Sequence, residues 1–121
     1  MSSELFTQLK RVFHEPSRLA IMSSLAATDD GLSFTELKAE CDLTDGNLSR
    51  HLKTLEDNGM IAIEKSFVGA KPRTTVLITD DGRQSFVEYL DALANVLLKA
   101  SDALGRSSEE STVGDLNPGV A

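Results

Sequence analysis

Residues 34–61 read FTELKAECDLTDGNLSRHLKTLEDNGMI and carry two helix start signals. The hydroxyl of Ser33, directly before them, can accept a hydrogen bond from the backbone N–H of Glu36. The carboxylate of Glu36 can in turn accept from the N–H of Ser33, which completes a capping box. Thr44 is a second N-cap, and Asp45 follows in the first turn, where a negative side chain suits the helix dipole. The stretch predicts a short helix, a tight turn and a longer helix.

The longer helix is expected over residues 44–58 and is amphipathic. Leu48, Leu52 and Leu55 fall on one face at 100° per residue. Gly59 is expected to end the helix as a left-handed cap, which allows Met60 to fold back on Leu55. This helix therefore turns one side to a core and leaves the other side free.

The flanking sequence predicts the remaining elements. A first apolar helix ends before Pro16, which suits the first position of a second helix. Strands are expected at residues 60–65 and 74–78, joined by a loop over 67–73, with a short third strand at 32–33. Thr79 is expected to cap a last long helix. The fold class is mainly α with a small β-hairpin, in the order α/α/α-α-β-β-α. We expect one domain over 1–104 and a disordered tail over 105–121.

The same residues resemble the small winged helix-turn-helix transcriptional regulators of the ArsR and MarR type. The resemblance runs from about residue 8 to 100 and is most specific across 34–82. It rests on a Leu-Ser-x-His-Leu-x-x-Leu core and on a downstream Leu-x-Thr-x-x-Gly, which are Leu48, Ser49, His51, Leu52, Leu55, Leu77, Thr79 and Gly82. It implies a homodimeric DNA-binding regulator with a recognition helix at about 44–58 and a wing at about 60–78.

The polar face of the longer helix is the candidate DNA-reading surface. With the three leucines in the core, Asn47 and Arg50 point outward, where they can pair with adenine and guanine. Gly46 lacks a side chain and permits close approach to the duplex. His51 lies beside the apolar stripe and is interpreted as a packing or capping residue. The other candidate contacts to phosphates or bases are Thr44, Ser49, Lys53, Thr54, Lys65, Lys71 and Arg73.

The charge balance looks unfavourable for a DNA-binding protein, because the net charge is −7. DNA affinity depends on local cations, however, and not on the total. Residues 47–76 hold five basic and three acidic side chains, so the segment is positive within an acidic chain. This segregation is consistent with double-stranded DNA as the partner.

Several other classes fit the composition less well. The single cysteine, Cys41, lacks the companions that a thiolate metal site needs, so we expect no metal and no cofactor. Two distant histidines and no phosphate-binding loop argue against an enzyme. No secretory signal or membrane segment is recognised, so a cytoplasmic location is expected. A redox role for Cys41 stays open. So does the main alternative, a winged-helix module that binds protein rather than DNA.

The last helix is the expected dimer element. Its apolar strip exceeds what a domain of this size can cover by itself, which suggests a partner. In the layout that the resemblance implies, the first helix lies nearby. The dimerisation residues expected on the two helices are Leu5, Phe6, Leu9, Phe86, Leu90, Leu93 and Leu97.

Overall fold

The structure, a computed structural model, describes residues 11–105. Residues 11–13 are helical, and the later elements follow the predicted order. They are α1 (Pro16–Ala26), β1 (Leu32–Ser33), α2 (Phe34–Cys41), α3 (Asp45–Asp57), β2 (Ile61–Val68), β3 (Lys71–Ile78) and α4 (Asp80–Ala103). Of the described residues, 11–89 form one compact unit and 90–105 belong to a second. The predicted tail lies, apart from Gly105, outside the described residues, and the domain boundary at 104 stays a prediction.

The helix starts are the ones that the sequence predicts. Ser33 Oγ accepts from the N–H of Glu36 at 3.0 Å, and Glu36 Oε1 accepts from the N–H of Ser33 at 2.8 Å. Thr44 Oγ1 accepts from the N–H of Asn47 at 3.2 Å and caps α3. Pro16 begins α1, as expected. Because all of these bonds span at most three residues, neighbouring side chains alone place the helix ends.

The core of the first unit lies between the helices and the sheet. Phe13 is fully buried and meets Phe86 edge-on, with 5.2 Å between the ring centroids. Tyr89 closes this cluster, and its hydroxyl lies 2.8 Å from His14 Nδ1, which gives the buried phenol a partner. The remaining fully buried side chains come from α1, α2, α3 and β3 and are Ile21, Met22, Leu25, Leu37, Leu48, Leu55 and Val76.

The hairpin is longer than predicted, and the predicted loop over 67–73 is wrong. The strands continue until Phe67 faces Pro72 and Val68 faces Lys71, so only Gly69 and one further residue form the turn. Gly69 has φ +66°, a conformation that glycine adopts without strain. Pro72 is tolerated because β1 pairs with β3 only further along, so β3 has a strand on one side here. The three strands are antiparallel in the order β1-β3-β2, and the predicted strand at 32–33 is confirmed.

The end of α3, the base of the hairpin and the start of α4 meet at Met60. The N–H of Met60 donates to the carbonyl of Leu55 at 3.0 Å, and the carbonyl of Met60 accepts from the N–H of Thr79 at 3.1 Å. The hydroxyl of Thr79 donates to the carbonyl of Gly59 at 2.7 Å and accepts from the N–H of Gly82 at 2.8 Å. A Cβ on Gly82 would overlap the carbonyl of Met60. We call this arrangement the Met60 junction.

The helices described in residues 11–105 include none with the length and apolar character needed to cross a bilayer.

Gly82, in the Met60 junction, and Gly46, outside it, should respond oppositely to substitution by alanine. Gly82→Ala should lower the free energy of unfolding by about 1–3 kcal/mol, because the added methyl group displaces the Met60 backbone. Gly46→Ala is the matched control, since nothing lies within 4 Å of its would-be Cβ. It should raise stability by roughly 0.5–1 kcal/mol, because alanine restricts the unfolded chain and favours helix. Urea denaturation measures both, and equal effects would contradict the junction.

Candidate nucleic-acid interface

Helix α3 presents the predicted reading residues on its free side. Its leucines and His51 are buried, whereas Gly46, Asn47, Arg50 and Lys53 are exposed. Nothing lies within 4 Å of the position that a Cβ on Gly46 would take. A duplex could therefore approach the helix backbone at that point without meeting a side chain.

The two predicted base-reading side chains bind each other. Arg50 Nη2 donates to Asn47 Oδ1 at 2.8 Å, one helical turn away. This bond restricts the rotamers of both side chains before any ligand arrives. It occupies one of the five guanidinium donors, so the others remain able to bind a guanine edge or a phosphate.

The two threonines of the helix differ in what they can still donate. The oxygen of Thr44 accepts from the N–H of Asn47, so its proton is free for a phosphate oxygen. The hydroxyl of half-buried Thr54 instead donates to the carbonyl of Arg50 at 3.3 Å. Thr44 is therefore better suited than Thr54 to a phosphate contact.

A surface groove separates α3 from the hairpin and brings several predicted contacts together. Ser49 and Lys53 line it from α3, while Lys65 and Thr74 line it from β2 and β3. Cations from both sides of the groove thus face the same space, which Glu56 of α3 also lines. A phosphate backbone lying along the groove would meet positive charge on either side.

Two of the candidate cations hold exposed ion pairs. Lys53 Nζ lies 3.1 Å from Asp57 Oδ1, and Arg73 Nη2 lies 3.9 Å from Glu36 Oε1. Pairs this exposed contribute little to stability, so a phosphate can replace the carboxylate at small cost. Lys71 is exposed at the far end of the hairpin, next to the turn.

His51 is buried within α3, as the sequence analysis expects of a packing residue. Its Nδ1 lies 3.3 Å from Arg18 Nη1 and 3.8 Å from Glu15 Oε1. Because a guanidinium can only donate, Nδ1 must accept, which places the ring proton on Nε2. Burial lowers the pKa of His51 and outweighs the opposing effect of Glu15, and the charges of Arg50 and Arg18 lower it further. The histidine is therefore held in its neutral form between α1 and α3.

Cys41 has an environment unsuited to thiolate chemistry. Its Sγ lies 3.9 Å from Ser24 Oγ, and burial raises the pKa of the thiol. A raised pKa reduces the thiolate fraction that oxidation requires. Within residues 11–105, no group of three or more His, Cys, Asp or Glu side chains is arranged to hold a metal ion.

The expected dimer residues are placed differently from one another. Phe86 is 3% exposed and packs on Phe13, so it belongs to the core of its own chain and offers no surface to a partner. Leu90 and Leu97 are 41% and 60% exposed, and Leu93 is half-buried. The expected residues of the first helix, Leu5, Phe6 and Leu9, lie outside the described residues.

Sequence reasoning missed exposed apolar side chains on α4 and in the hairpin. On α4 they are Val96 and Leu98, which lie beside the predicted strip. In the hairpin they are Phe67 and Val68, 73% and 62% exposed. The loop predicted there hid these two residues, whereas strand alternation carried through Phe67 would have assigned them to opposite faces.

Comparisons with known proteins identify the family and the fold. Residues 17–97 match the sequence model of the family described as winged helix DNA-binding domain. An uncharacterized protein of Methanocaldococcus jannaschii is 35% identical over 80 residues, 66% of this chain and 86% of the relative. A transcriptional regulator homologue from Pyrococcus horikoshii OT3 is 31% identical, with a TM-score of 0.71 over 80% of this chain and 97% of that one. A MarR family transcriptional regulator from Silicibacter pomeroyi DSS is 26% identical, with a TM-score of 0.62 over 98% and 70%. The predicted winged-helix resemblance is confirmed.

The environment of His51 predicts how stability depends on pH. The unfolded chain takes up a proton at His51 near the ordinary pKa of 6.5, whereas the folded chain takes it up only at lower pH. The contribution of neutral His51 to the free energy of unfolding is therefore complete above about pH 6.5, and it is lost as the pH falls through the folded-state pKa of the histidine. His51→Gln should flatten this acid-side loss in urea titrations, and His14→Gln should leave it in place. An unchanged slope in His51→Gln would contradict the assignment.

Proposed function

The chain belongs to the winged helix DNA-binding domain family, and on this premise we propose that it is a transcriptional regulator that binds duplex DNA sequence-specifically as a homodimer. The observation that supports this most is the free side of α3. On that side Gly46 leaves the helix backbone uncovered, and Asn47 and Arg50, which bind each other, lie beside it. The cationic hairpin lies next to this surface. An α-helix with such a face fits the major groove.

In the proposed complex, α3 lies in the major groove and its first two turns meet the base edges. Arg50 binds the two acceptors of a guanine, and Asn47 binds an adjacent adenine. The bond between Arg50 and Asn47 holds both side chains toward the same region, which favours recognition of neighbouring base pairs. Gly46 lets the helix come close enough for these short contacts.

The phosphate contacts of the proposed complex flank the reading helix. Thr44 donates its free hydroxyl proton, and Ser49 and Lys53 contact the backbone from the groove side of α3. The hairpin acts as the wing, with Lys65 facing the same groove. Lys71 and Arg73 lie further out, on the backbone or the adjacent minor groove.

The second part of the proposal is a twofold dimer formed through α4. Starting at Leu90, apolar residues recur at alternating spacings of three and four, the pattern with which helices pack side by side. The series is Leu90, Leu93, Leu97, Ala100 and Leu104. Apart from half-buried Leu93, its members are exposed in the single chain, so a second copy would remove apolar surface from water. A twofold dimer that binds successive major grooves needs its two recognition helices about one DNA turn apart, roughly 34 Å, and calls for a near-palindromic site.

Arg50→Ala tests the reading face. If Arg50 is bidentate to guanine, its loss should cost about 1–3 kcal/mol at the specific site and relax the base preference at one position. The duplex is first enriched by in vitro selection from a random library with the full chain, and affinity is then measured by fluorescence anisotropy. Lys71→Ala is the control, since it should weaken all sequences alike and reduce the salt slope by roughly one unit.

An unchanged affinity in Arg50→Ala would remove this residue from the reading face. A wild-type chain that binds no duplex, even at low salt, would instead favour the protein-binding alternative.

Leu97→Glu combined with Leu93→Glu tests the dimer. Both changes place a charge in the proposed seam, so the variant should sediment as a folded monomer and bind the selected duplex much more weakly. Asn95→Glu, on the same helix but outside the series, is the matched control and should remain a dimer. A wild-type chain that is monomeric at micromolar concentration and still binds one half-site tightly would refute the dimer.

A further inference from the structure

The outer end of the wing exposes a large aromatic ring. Phe67 is 73% exposed, and it lies one residue pair from the turn, opposite Pro72. A ring of this size buries a large apolar area when it contacts another apolar group, and its exposure to water does not stabilise the fold. Its backbone is held in a paired strand and not in a loose loop, so the ring is presented from a fixed position.

Strand alternation shows which way the ring points. Ile61, Ile63, Lys65 and Phe67 share one face of β2, since every second residue of a strand lies on the same side. The inner end of this face is core, because Ile61 is 3% exposed. Its middle part, at Ile63 and Lys65, lines the groove beside α3. Phe67 therefore continues the face that looks toward the recognition helix, just beyond Lys65.

The wing itself carries positive charge on both faces near the ring. Residues 65–73 contain three cations and no acidic residue, and the carboxylate that pairs with one of them, Glu36 with Arg73, comes from α2. Lys65 shares the face of Phe67, and Lys71 and Arg73 lie on the opposite face, following the register in which Phe67 faces Pro72. An apolar ring framed by positive charge matches an anionic surface with an apolar interior. Duplex DNA has this composition, with phosphates outside and stacked bases within.

We propose that Phe67 is an apolar wedge that enters the minor groove next to the half-site read by α3 and opens one base step. The inference rests on the proposed DNA-binding function and adds a contact to it. The cations bind the two phosphate strands that border the groove, and the ring stacks on the base that it exposes. Pro72, its cross-strand partner, lies on the same face of the hairpin.

The wedge adds a form of specificity that does not read base edges. Opening a step costs least at pyrimidine–purine steps such as TA and CA, which unstack easily. The preferred sites should therefore carry such a step outside the positions contacted by Asn47 and Arg50. The wing would select for deformability there, while α3 selects for hydrogen-bonding pattern.

The experiment uses the full chain and the selected duplex, with 2-aminopurine placed in turn at each position of the flanking segment. Unstacking raises 2-aminopurine fluorescence, so the wild-type chain should increase it at one flanking step. Phe67→Ala should abolish the increase and weaken binding about tenfold, in keeping with the loss of one base–aromatic stack. Phe67→Leu keeps an apolar wedge and should retain part of both effects. Ser66→Ala, on the other face of the wing, should change neither.

Each other result overturns the wedge in a recognisable way. If Phe67→Ala binds like the wild type with the same fluorescence, the wedge is wrong while the proposed function stands. If Phe67→Ala is monomeric and the wild type dimeric, the ring belongs to a contact between copies. If the wild-type chain binds no duplex, the proposed function fails together with the wedge. Urea denaturation of both Phe67 variants verifies that they fold, and a binding loss without the fluorescence change in folded Phe67→Leu also refutes the wedge.

Discussion

The relation between the recognition helix and the wing depends on the Met60 junction. Met60 lies between the end of α3 and the start of the hairpin. The end of β3, which leads into α4, lies against the same residue. Thr79 binds the carbonyls of both Gly59 and Met60, so the two ends of the hairpin are held together. Gly82 lies against the Met60 carbonyl with no room for a side chain. Because both ends are fixed, the wing has a defined position relative to α3, which a surface that contacts DNA at two places requires.

A second contact fixes the opposite side of the recognition helix. His51 is buried against Arg18, whose guanidinium also donates to the carbonyl of Val12 at 2.8 Å. The start of α1 joins the same cluster, since Glu15 caps that helix through the N–H of Arg18. The neutral histidine accepts a hydrogen bond there without bringing a further charge beside Arg18. Helix α3 is thereby supported on both flanks, and its exposed face is the part left for a ligand.

How much of the structure the sequence predicts depends on how far apart along the chain the interacting residues lie. The capping box at Ser33 and the cap at Thr44 join residues three apart, so the sequence predicts both directly. The burial of Leu48 and Leu52 follows from helical periodicity. The loop over 67–73 was wrong because Gly69 and Pro72 are turn signals, yet strand pairing extends past both. Phe86 was assigned to a partner because periodicity marks an apolar side without saying what covers it, and Phe13 lies 73 positions earlier in the chain. The residues that contact His51 could not be predicted from the sequence for the same reason.

The acidic character of the chain is compatible with a DNA-binding face because of where its acids lie. Asp57 and Glu36 pair with cations assigned to phosphate contacts, and Asp45 pairs with Lys38 at 2.9 Å. These pairs are exposed, so they cost little to exchange, and they reduce the attraction of the free surface for anions in general. Arg50 differs, since its partner is the neutral amide of Asn47 and its charge is not compensated there. On α3 the cation without a carboxylate partner therefore coincides with the position proposed to read a base, whereas cations proposed to contact the phosphates are paired with neighbouring carboxylates. If the face binds DNA as proposed, such pairing weakens non-specific binding more than specific binding, because only the non-specific mode depends on phosphate contacts alone.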